Sequence, residues 1–213
     1  MKNFQIQYIS FPNAEGDHIP GIKSVLEGGV KWIQLRMKHT ESPEIIPVAK
    51  EVKALCKAFG ATFILNDHPD IVKQLDLDGV HIGKTDISAE EAREIIGENK
   101  ILGRTCNSLT DLKEASARPI DYIGFGPYNF TKTKENIDGV LGKDVFSKLE
   151  EWTKIFHLKP IVGIGGIEKE DIEQITTFGI DGIAASGLFR NQTKQEINSI
   201  VESINHGFTK DRR

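Results

Sequence analysis

The chain has 213 residues, of which 38% are apolar and 27% are charged, enough to form one sizeable core. Its net charge of −4 and pI near 5.9 argue against a protein that binds nucleic acid or a membrane surface through general charge. Two cysteines, Cys56 and Cys106, and the lack of a leader-like or long apolar segment predict a reduced cytoplasmic protein without a membrane span.

Short apolar runs recur along the chain and alternate with amphipathic stretches. The apolar runs are 4–10, 30–36, 62–65, 78–82, 100–104, 121–125, 160–164 and 180–185. The stretch 44–59 has helical periodicity, with a predicted buried face of Val48, Val52, Leu55 and Phe59. A further helix is expected after Ser88, which with Glu91 forms a capping-box pattern.

Eight strand-like runs separated by helix-like ones predict a parallel sheet, and eight is the number that closes a (β/α)₈ TIM barrel. We expect one barrel domain over residues 1–208 and a solvated tail over 209–213. A doubly wound open sheet is the alternative, but no GxGxxG motif follows the first strand. In a barrel, functional residues are expected at the carboxyl ends of the strands.

The second run carries polar residues on alternate positions. Gln34, Arg36 and Lys38 share one face, whereas Ile33 and Leu35 share the other. The apolar face can pack on helices, which turns the polar face towards the barrel mouth. Two cations on one face favour an anion site over an arginine that is merely paired with an internal carboxylate.

The third and fourth runs end near Asn66, Asp67 and Asp86. Two carboxylates at adjacent strand ends could share one Mg²⁺ ion, which keeps water and phosphate oxygens in the rest of its shell. The alternative is that both aspartates cap the helices that follow. His68 and His81 are each interpreted as hydrogen-bonded structural residues.

Anion-binding features also follow the last three runs. The segments 161–166 and 183–187 are glycine-rich, as expected of the phosphate pocket after strands 7 and 8, although tight turns would also explain the glycines. The segment 126–136, GPYNFTKTKEN, offers hydroxyls and ammonium groups with little to bury. Together these features predict an enzyme with two phosphorylated substrates.

The motifs resemble those of the thiamine-phosphate synthase family. Five segments match in order, from about residue 30 to 187. They are Gln34-Leu-Arg-Met-Lys38, Asn66-Asp67, His81-Ile-Gly-Lys84-Thr-Asp86, Gly126-Pro127 to Thr131-Lys-Thr133-Lys134, and Ile164-Gly-Gly-Ile167.

The resemblance implies a Mg²⁺-dependent transferase, expected as a homodimer, that joins a pyrimidine diphosphate to a thiazole phosphate. Pyrimidine diphosphate contacts are implied for Gln34, Arg36, Lys38, Asn66, Thr105 and Lys134. The implied metal ligands are Asp67 and Asp86. Thiazole phosphate contacts are implied for Thr131, Thr133, Gly166, Ser186 and Gly187. The implied catalytic residues are Arg36, Lys38, Thr105 and Lys134.

Three positions depart from the family pattern. Lys84 replaces a glutamine and adds positive charge near the expected metal, and Thr105 replaces a serine. Ser186 stands one position earlier than the family's serine. Two alternative functions remain: a barrel that isomerises a thiazole phosphate, and a non-catalytic regulator that binds a phosphorylated ligand.

The expected reaction is a dissociative displacement, in which pyrophosphate leaves before the thiazole nitrogen attacks. It needs charge stabilisation and positioning rather than a covalent nucleophile. No His stands beside Cys106 in the sequence, which disfavours a nucleophilic role for this cysteine. Residues 128–141 are predicted to form a lid that excludes water.

Overall fold

Eight parallel strands close into a barrel in chain order in the computed structural model, which describes residues 5–130 and 139–210. The strands are β1 (Ile6–Ile9), β2 (Trp32–Leu35), β3 (Thr62–Asn66), β4 (Gly79–Ile82), β5 (Ile101–Cys106), β6 (Tyr122–Phe125), β7 (Ile161–Ile164) and β8 (Gly182–Ala185). Each of the eight predicted runs coincides with one strand, so the predicted barrel is confirmed and the open sheet is wrong.

Helices surround the barrel. They are α1 (Ile19–Glu27), α2 (Ser42–Phe59), α3 (Pro69–Leu75), α4 (Ala89–Ile96), α5 (Leu109–Ser116), α6 (Gly142–Phe146), α7 (Leu149–Phe156), α8 (Ile172–Ile175) and α9 (Lys194–Lys210). The predicted capping box of Ser88 and Glu91 begins α4. Helix α9 extends two residues into the predicted tail, where Thr209 is exposed. Within the described ranges no helix is long and apolar enough to cross a membrane.

The buried face of α2 differs from the one predicted. It consists of Ile45, Ala49, Val52 and Cys56. Of the predicted face only Val52 is fully buried, and Val48, Leu55 and Phe59 lie half-buried beside it. The periodicity of bulky side chains missed Ala49 and Cys56, because these small residues carry a weak apolar signal although they are fully covered. Cys56 is thus a packed core residue, 2% exposed.

Side chains alternate across each strand and form two layers. Outward residues such as Ile33 and Leu35 pack on the helices. A smaller cluster fills the inside of the barrel and consists of Ile9, Trp32, Ile64, Tyr122, Val162 and Ala184. Towards the carboxyl ends of the strands the inward positions become polar, as Gln34 and Asn66 show. The fold therefore places a polar floor at the end of the barrel where barrel enzymes act.

Candidate functional site

A cavity of about 590 Å³ opens at the carboxyl ends of the strands. Seven of the predicted site residues line it: Gln34, Arg36, Asn66, Thr105, Gly166, Ser186 and Gly187. They come from five different strands or strand ends and are up to 153 positions apart in the chain. A volume of this size suits a small-molecule ligand. The structure therefore brings the predicted residues to one place, while their contacts with substrates stay predictions.

The ends of β1 and β2 are tied together beside this cavity. Gln34 is 2% exposed, and its Nε2 donates to Gln7 Oε1 at 3.0 Å. Ser10 Oγ accepts the backbone N–H of Arg36 at 3.0 Å and lies 2.8 Å from His18 Nδ1. Sequence reasoning missed Ser10, although a polar residue directly after a strand was the available signal. These bonds hold the backbone from which the Arg36 side chain reaches the cavity.

Lys38 and the two predicted metal ligands lie together beside the cavity, at the ends of β2, β3 and β4. The Lys38 ammonium donates to the Asp67 carboxylate, and the Asp67 and Asp86 carboxyl groups are hydrogen-bonded to each other. The backbone N–H of Gly83 donates to Asp86 Oδ2 at 2.6 Å. The two carboxyl groups thus share one site.

The environment moves the pKa values of the two carboxyl groups apart. Burial raises the pKa of Asp67, and the hydrogen bond with Asp86 adds to the rise against the opposing effect of Lys38. Burial also works to raise the pKa of Asp86, but hydrogen bonds from Asp67 and Gly83 and the charge of Lys38 together lower it. Like charges at close range oppose each other's ionisation, which is why the two pKa values shift in opposite directions.

The capping alternative for the aspartates is wrong. The N-cap of α3 is His68, and that of α4 is Ser88. Asp67 adopts a left-handed backbone conformation with φ of 69° before the helix begins. Neither Asp67 nor Asp86 therefore has a helix end to satisfy, which leaves their mutual proximity without a capping explanation.

The paired carboxylates fit the ligand preference of Mg²⁺, a hard cation often held by only one or two carboxylates. Among the residues that the structure describes, no group of three or more His, Cys, Asp or Glu side chains could hold a metal. A thiolate–imidazole site of the zinc type is thus not present there. The donor set suits a magnesium ion that keeps other ligands from water and substrate.

The glycine turn after β7 has a packing explanation. Gly166 has φ of 66°, and a Cβ there would lie 2.5 Å from the carbonyl oxygen of Phe130. The backbone N–H groups of Tyr128 and Asn129 donate to Ile164 and Gly165 at 2.9 Å. The turn thus pairs with the segment that follows β6, which supports the tight-turn alternative for these glycines.

The loop after β8 has the more open surface. The Ser186 hydroxyl oxygen is buried and has no hydrogen-bond partner among the described residues. Gly187 begins a short 3₁₀ helix, and a Cβ there would meet nothing within 4 Å. An unpartnered hydroxyl beside free backbone space is compatible with a ligand oxygen at this end of the cavity.

Two cations that sequence reasoning missed line this same end. They are Lys169 and Arg190, and the Arg190 guanidinium stacks 3.6 Å from the ring centroid of Phe11. Glu168 and Glu170 line the cavity too, so its charge there is mixed. No sequence motif includes these residues. They lie in the loops after β7 and β8, and only closure of the barrel brings those loops to the cavity.

Several other predictions concern side chains outside this cavity. Lys84 Nζ lies 3.0 Å from Asp111 Oδ1 in α5, so the Asp111 carboxylate compensates the positive charge that was predicted to add near the metal.

Cys106 is buried, and burial raises the pKa of its thiol to about 12, which excludes a ready thiolate nucleophile. The predicted roles of Thr131, Thr133 and Lys134, and most of the predicted lid over 128–141, lie outside the described residues.

His81 is the predicted structural histidine that the structure shows best. It is 5% exposed, and its two ring nitrogens lie 2.9 Å from Tyr122 Oη and from Thr105 Oγ1. The hydrogen-bonded role is confirmed. The same ring also lines the cavity, which sequence reasoning did not anticipate.

A closed (β/α)₈ barrel with a polar cavity at the carboxyl ends of its strands is the architecture of TIM-barrel enzymes. A family model described as thiamine monophosphate synthase matches residues 8–188, and the chain belongs to that family. Its members named thiamine-phosphate synthase are transferases, and the chain is an enzyme of that class.

Individual relatives agree with this assignment. A thiamine-phosphate synthase of Bacteroides fragilis is 43% identical over 183 residues, covering 85% of this chain and 90% of the relative. One from Flavobacterium johnsoniae is 36% identical over 202 residues, or 94% of each chain. The solved structure of a thiamine phosphate pyrophosphorylase from Pyrococcus furiosus superposes with a TM-score of 0.83 at 26% identity, covering 96% of this chain and 97% of the other.

Proposed function

We propose that the chain joins 4-amino-2-methyl-5-(diphosphooxymethyl)pyrimidine to a thiazole phosphate, forming thiamine phosphate and releasing pyrophosphate. The observation that carries this proposal is the convergence of two cations with two carboxylates at one end of the barrel. The cations are Arg36 and Lys38, and the carboxylates are Asp67 and Asp86. Neither an isomerase nor a regulator of the same fold needs all four groups for binding a monophosphate.

The carboxylates are the groups that would hold Mg²⁺. When bound, the ion supplies positive charge to the diphosphate oxygens. Asp67 and Asp86 already lie within hydrogen-bond distance of each other, and Lys38 contacts the first of them. A bound cation would relieve the mutual repulsion of the two carboxylates.

The chain's own cations assist departure of the leaving group. The bond between the pyrimidine methylene carbon and the diphosphate oxygen breaks, and its electron pair leaves with pyrophosphate. Arg36 and Lys38 stabilise that negative charge, together with Lys134 by resemblance. The aminopyrimidine ring delocalises the positive charge left on the methylene carbon, and the lone pair of the thiazole nitrogen then forms the new carbon–nitrogen bond.

The remaining residues position the two rings. Gln34, Asn66 and Thr105 lie on the polar floor of the cavity, where the pyrimidine would bind. Ser186 and Gly187 line the end assigned to the thiazole phosphate, where the unpartnered hydroxyl is a donor for a phosphate oxygen. Holding both rings in one enclosed space replaces a bimolecular encounter and keeps water from the cation.

The proposal includes a cytoplasmic location and a homodimer. Both cysteines are free and buried, which is consistent with a reducing compartment. The homodimer rests on family resemblance alone, and sedimentation of the purified protein would test it.

The direct test is to mix the purified protein with both substrates and Mg²⁺ and to measure thiamine phosphate and pyrophosphate. We expect equal amounts of the two products, and none when either substrate is omitted. Arg36→Ala should lose most activity, whereas Arg118→Ala, which removes an exposed ion pair with Glu90, should retain it. A folded wild-type protein that forms no product, or only isomerises the thiazole, would overturn the proposal.

A further inference from the structure

A continuous chain of hydrogen bonds crosses the interior of the barrel beneath the cavity. Its links are Gln34 Nε2 to Gln7 Oε1 at 3.0 Å, Gln7 Nε2 to Tyr122 Oη at 3.3 Å, Tyr122 Oη to His81 Nδ1 at 2.9 Å, and His81 Nε2 to Thr105 Oγ1 at 2.9 Å. All five side chains belong to residues that are at most 8% exposed. The two terminal residues, Gln34 and Thr105, both line the cavity.

Two glycines leave room for the hydrogen bond between Tyr122 and His81. Strand register places Gly103 between His81 and Tyr122, and a Cβ on Gly103 would collide with the Tyr122 ring. A Cβ on Gly124 would lie 3.0 Å from His81 Cε1. The tyrosine can therefore reach across the intervening strand to the imidazole. Two positions on neighbouring strands are thus kept free of side chains around the same hydrogen bond.

The donor order follows from the hydrogen-bonding capacity of each group. The Tyr122 oxygen accepts the amide proton of Gln7, so its own O–H is left to donate. The neighbour in reach is Nδ1 of His81, and a buried hydroxyl that fails to donate is costly. Nδ1 then carries no proton, and the neutral ring is protonated on Nε2. Burial raises the pKa of Tyr122, which keeps the phenol protonated.

We propose that Gln7, Tyr122 and His81 act as positioning residues that turn Thr105 into a hydrogen-bond donor towards the cavity. The Nε2–H of His81 donates to Thr105 Oγ1, so the hydroxyl proton of Thr105 points elsewhere. Thr105 lines the cavity, where a ligand atom that accepts a hydrogen bond can take that proton. A ring nitrogen of an aminopyrimidine is such an acceptor, and this last step rests on the proposed function.

The hydrogen bond from His81 also restricts which ligand atoms Thr105 can bind. A hydroxyl can donate or accept, and an isolated threonine would adapt to either kind of ligand atom. Here the imidazole donates to the hydroxyl oxygen, which leaves the O–H of Thr105 to be satisfied by a ligand. Donation into the cavity thereby favours ligands with an acceptor at this point over analogues that carry a C–H there.

The first experiment measures the imidazole tautomer in the protein without substrates. Nitrogen-15 NMR of histidine-labelled protein, at a pH where unperturbed imidazoles are neutral, should show His81 protonated on Nε2 and unprotonated on Nδ1. The His81→Gln variant assigns the resonance by its loss. Tyr122→Phe should shift the Nδ1 resonance, whereas Tyr8→Phe, the same change at a buried tyrosine that faces helix α1, should leave it in place. A proton on Nδ1 in the wild type would overturn the donor order, whatever the activity.

The second experiment measures kinetics with the pyrimidine diphosphate and the thiazole phosphate. Tyr122→Phe should lower kcat/KM for the pyrimidine substrate about tenfold, the contribution of one hydrogen bond, and Thr105→Val by more. The double variant should be no worse than Thr105→Val, because the relay acts through that hydroxyl. Thr105→Ser keeps the hydroxyl, so this variant should retain the activity that Thr105→Val loses. Tyr8→Phe should leave the activity unchanged.

Independent losses in the double variant would assign Tyr122 a purely structural role and overturn the relay. Because the tautomer is measured without substrates, a protein that lacks synthase activity but protonates Nε2 would contradict the proposed function alone. A protein with normal synthase activity and additive losses would contradict the relay alone.

Discussion

The Lys38 ammonium donates to the Asp67 carboxylate beside the cavity, which joins the end of β2 to the end of β3. The same carboxyl group is hydrogen-bonded to Asp86 at the end of β4. One lysine therefore provides part of the positive charge that this pair of acids requires. A divalent cation would provide the rest, which makes the pair the most direct place to test the proposed metal.

Replacing either aspartate by asparagine should remove the metal site. We expect Asp67→Asn and Asp86→Asn each to lower activity by at least about 100-fold and to raise the Mg²⁺ concentration needed for half-maximal activity. The double variant should be little worse than one single variant, because one metal site is lost only once.

The control for this experiment is Asp70→Asn. Asp70 is an exposed residue in the first turn of α3, and its replacement should leave the Mg²⁺ titration of activity unchanged. Wild-type titration curves for all three single variants would show that Asp67 and Asp86 hold no metal.

Lys84→Gln, which introduces the residue usual in the family, should have a small effect. Lys84 is half-exposed and pairs with Asp111, so its loss should cost about 0.5 kcal/mol of unfolding free energy at neutral pH. The Mg²⁺ requirement should not change, because the ammonium is paired with α5. A lower Mg²⁺ requirement in the variant would show instead that Lys84 repels the metal.

The stability effect of Lys84→Gln should depend on pH. Burial opposes ionisation of Asp111, but hydrogen bonds from Asn107, Lys84 and Ser108 together hold its pKa below the ordinary 3.8. A depressed acid pKa stabilises the fold above the unfolded pKa, and this contribution is lost as pH falls through the folded value. The difference in unfolding free energy between wild type and variant should therefore shrink below about pH 4. A difference that stays constant down to pH 2 would argue against the Asp111 pairing.

Two glycines should respond differently to replacement by alanine. Gly166→Ala puts a Cβ against the Phe130 carbonyl at positive φ, and we expect a loss of about 1–3 kcal/mol of stability and weaker use of both substrates. Gly187→Ala meets open space, so its stability should be that of the wild type.

Gly187→Ala is thus the sharper probe of the phosphate pocket. If thiazole phosphate binds against this loop, the added methyl should raise KM for that substrate several-fold and leave KM for the pyrimidine diphosphate unchanged. Steady-state kinetics with each substrate varied in turn measures both values. An equal rise in both KM values would place the thiazole phosphate elsewhere.

Both cysteines should be inert in the folded protein. Burial raises the thiol pKa of Cys56 and of Cys106 to about 12, so neither forms appreciable thiolate at pH 8. Mass spectrometry after treatment with iodoacetamide should show no adduct on native protein and two adducts after denaturation. Rapid modification of Cys106 in the native state would reopen a nucleophilic role for it.

The sequence was sufficient for the architecture because hydrophobic periodicity is a local property. Eight apolar runs separated by amphipathic stretches predicted eight strands, and closure of the barrel followed from their number. Alternation along β2 was enough to send Gln34 inward and Ile33 outward. The direction of a strand side chain depends on its position in the chain, so no distant information was needed.

The tertiary structure decided which polar groups meet. Helix starts could not be distinguished from metal ligands in the sequence, because aspartate serves both. The positions of His68 and Ser88 at the N-caps showed that neither Asp67 nor Asp86 is a helix cap. The sequence did not show why a glycine is needed at position 166, because the backbone of Asn129 and Phe130 packs against it only in the folded barrel. The hydrogen bond from Tyr122 to His81 joins residues 41 positions apart, across a strand whose glycine leaves room for it. Such contacts depend on strand register and on the space left by neighbouring side chains, which no single segment of sequence contains.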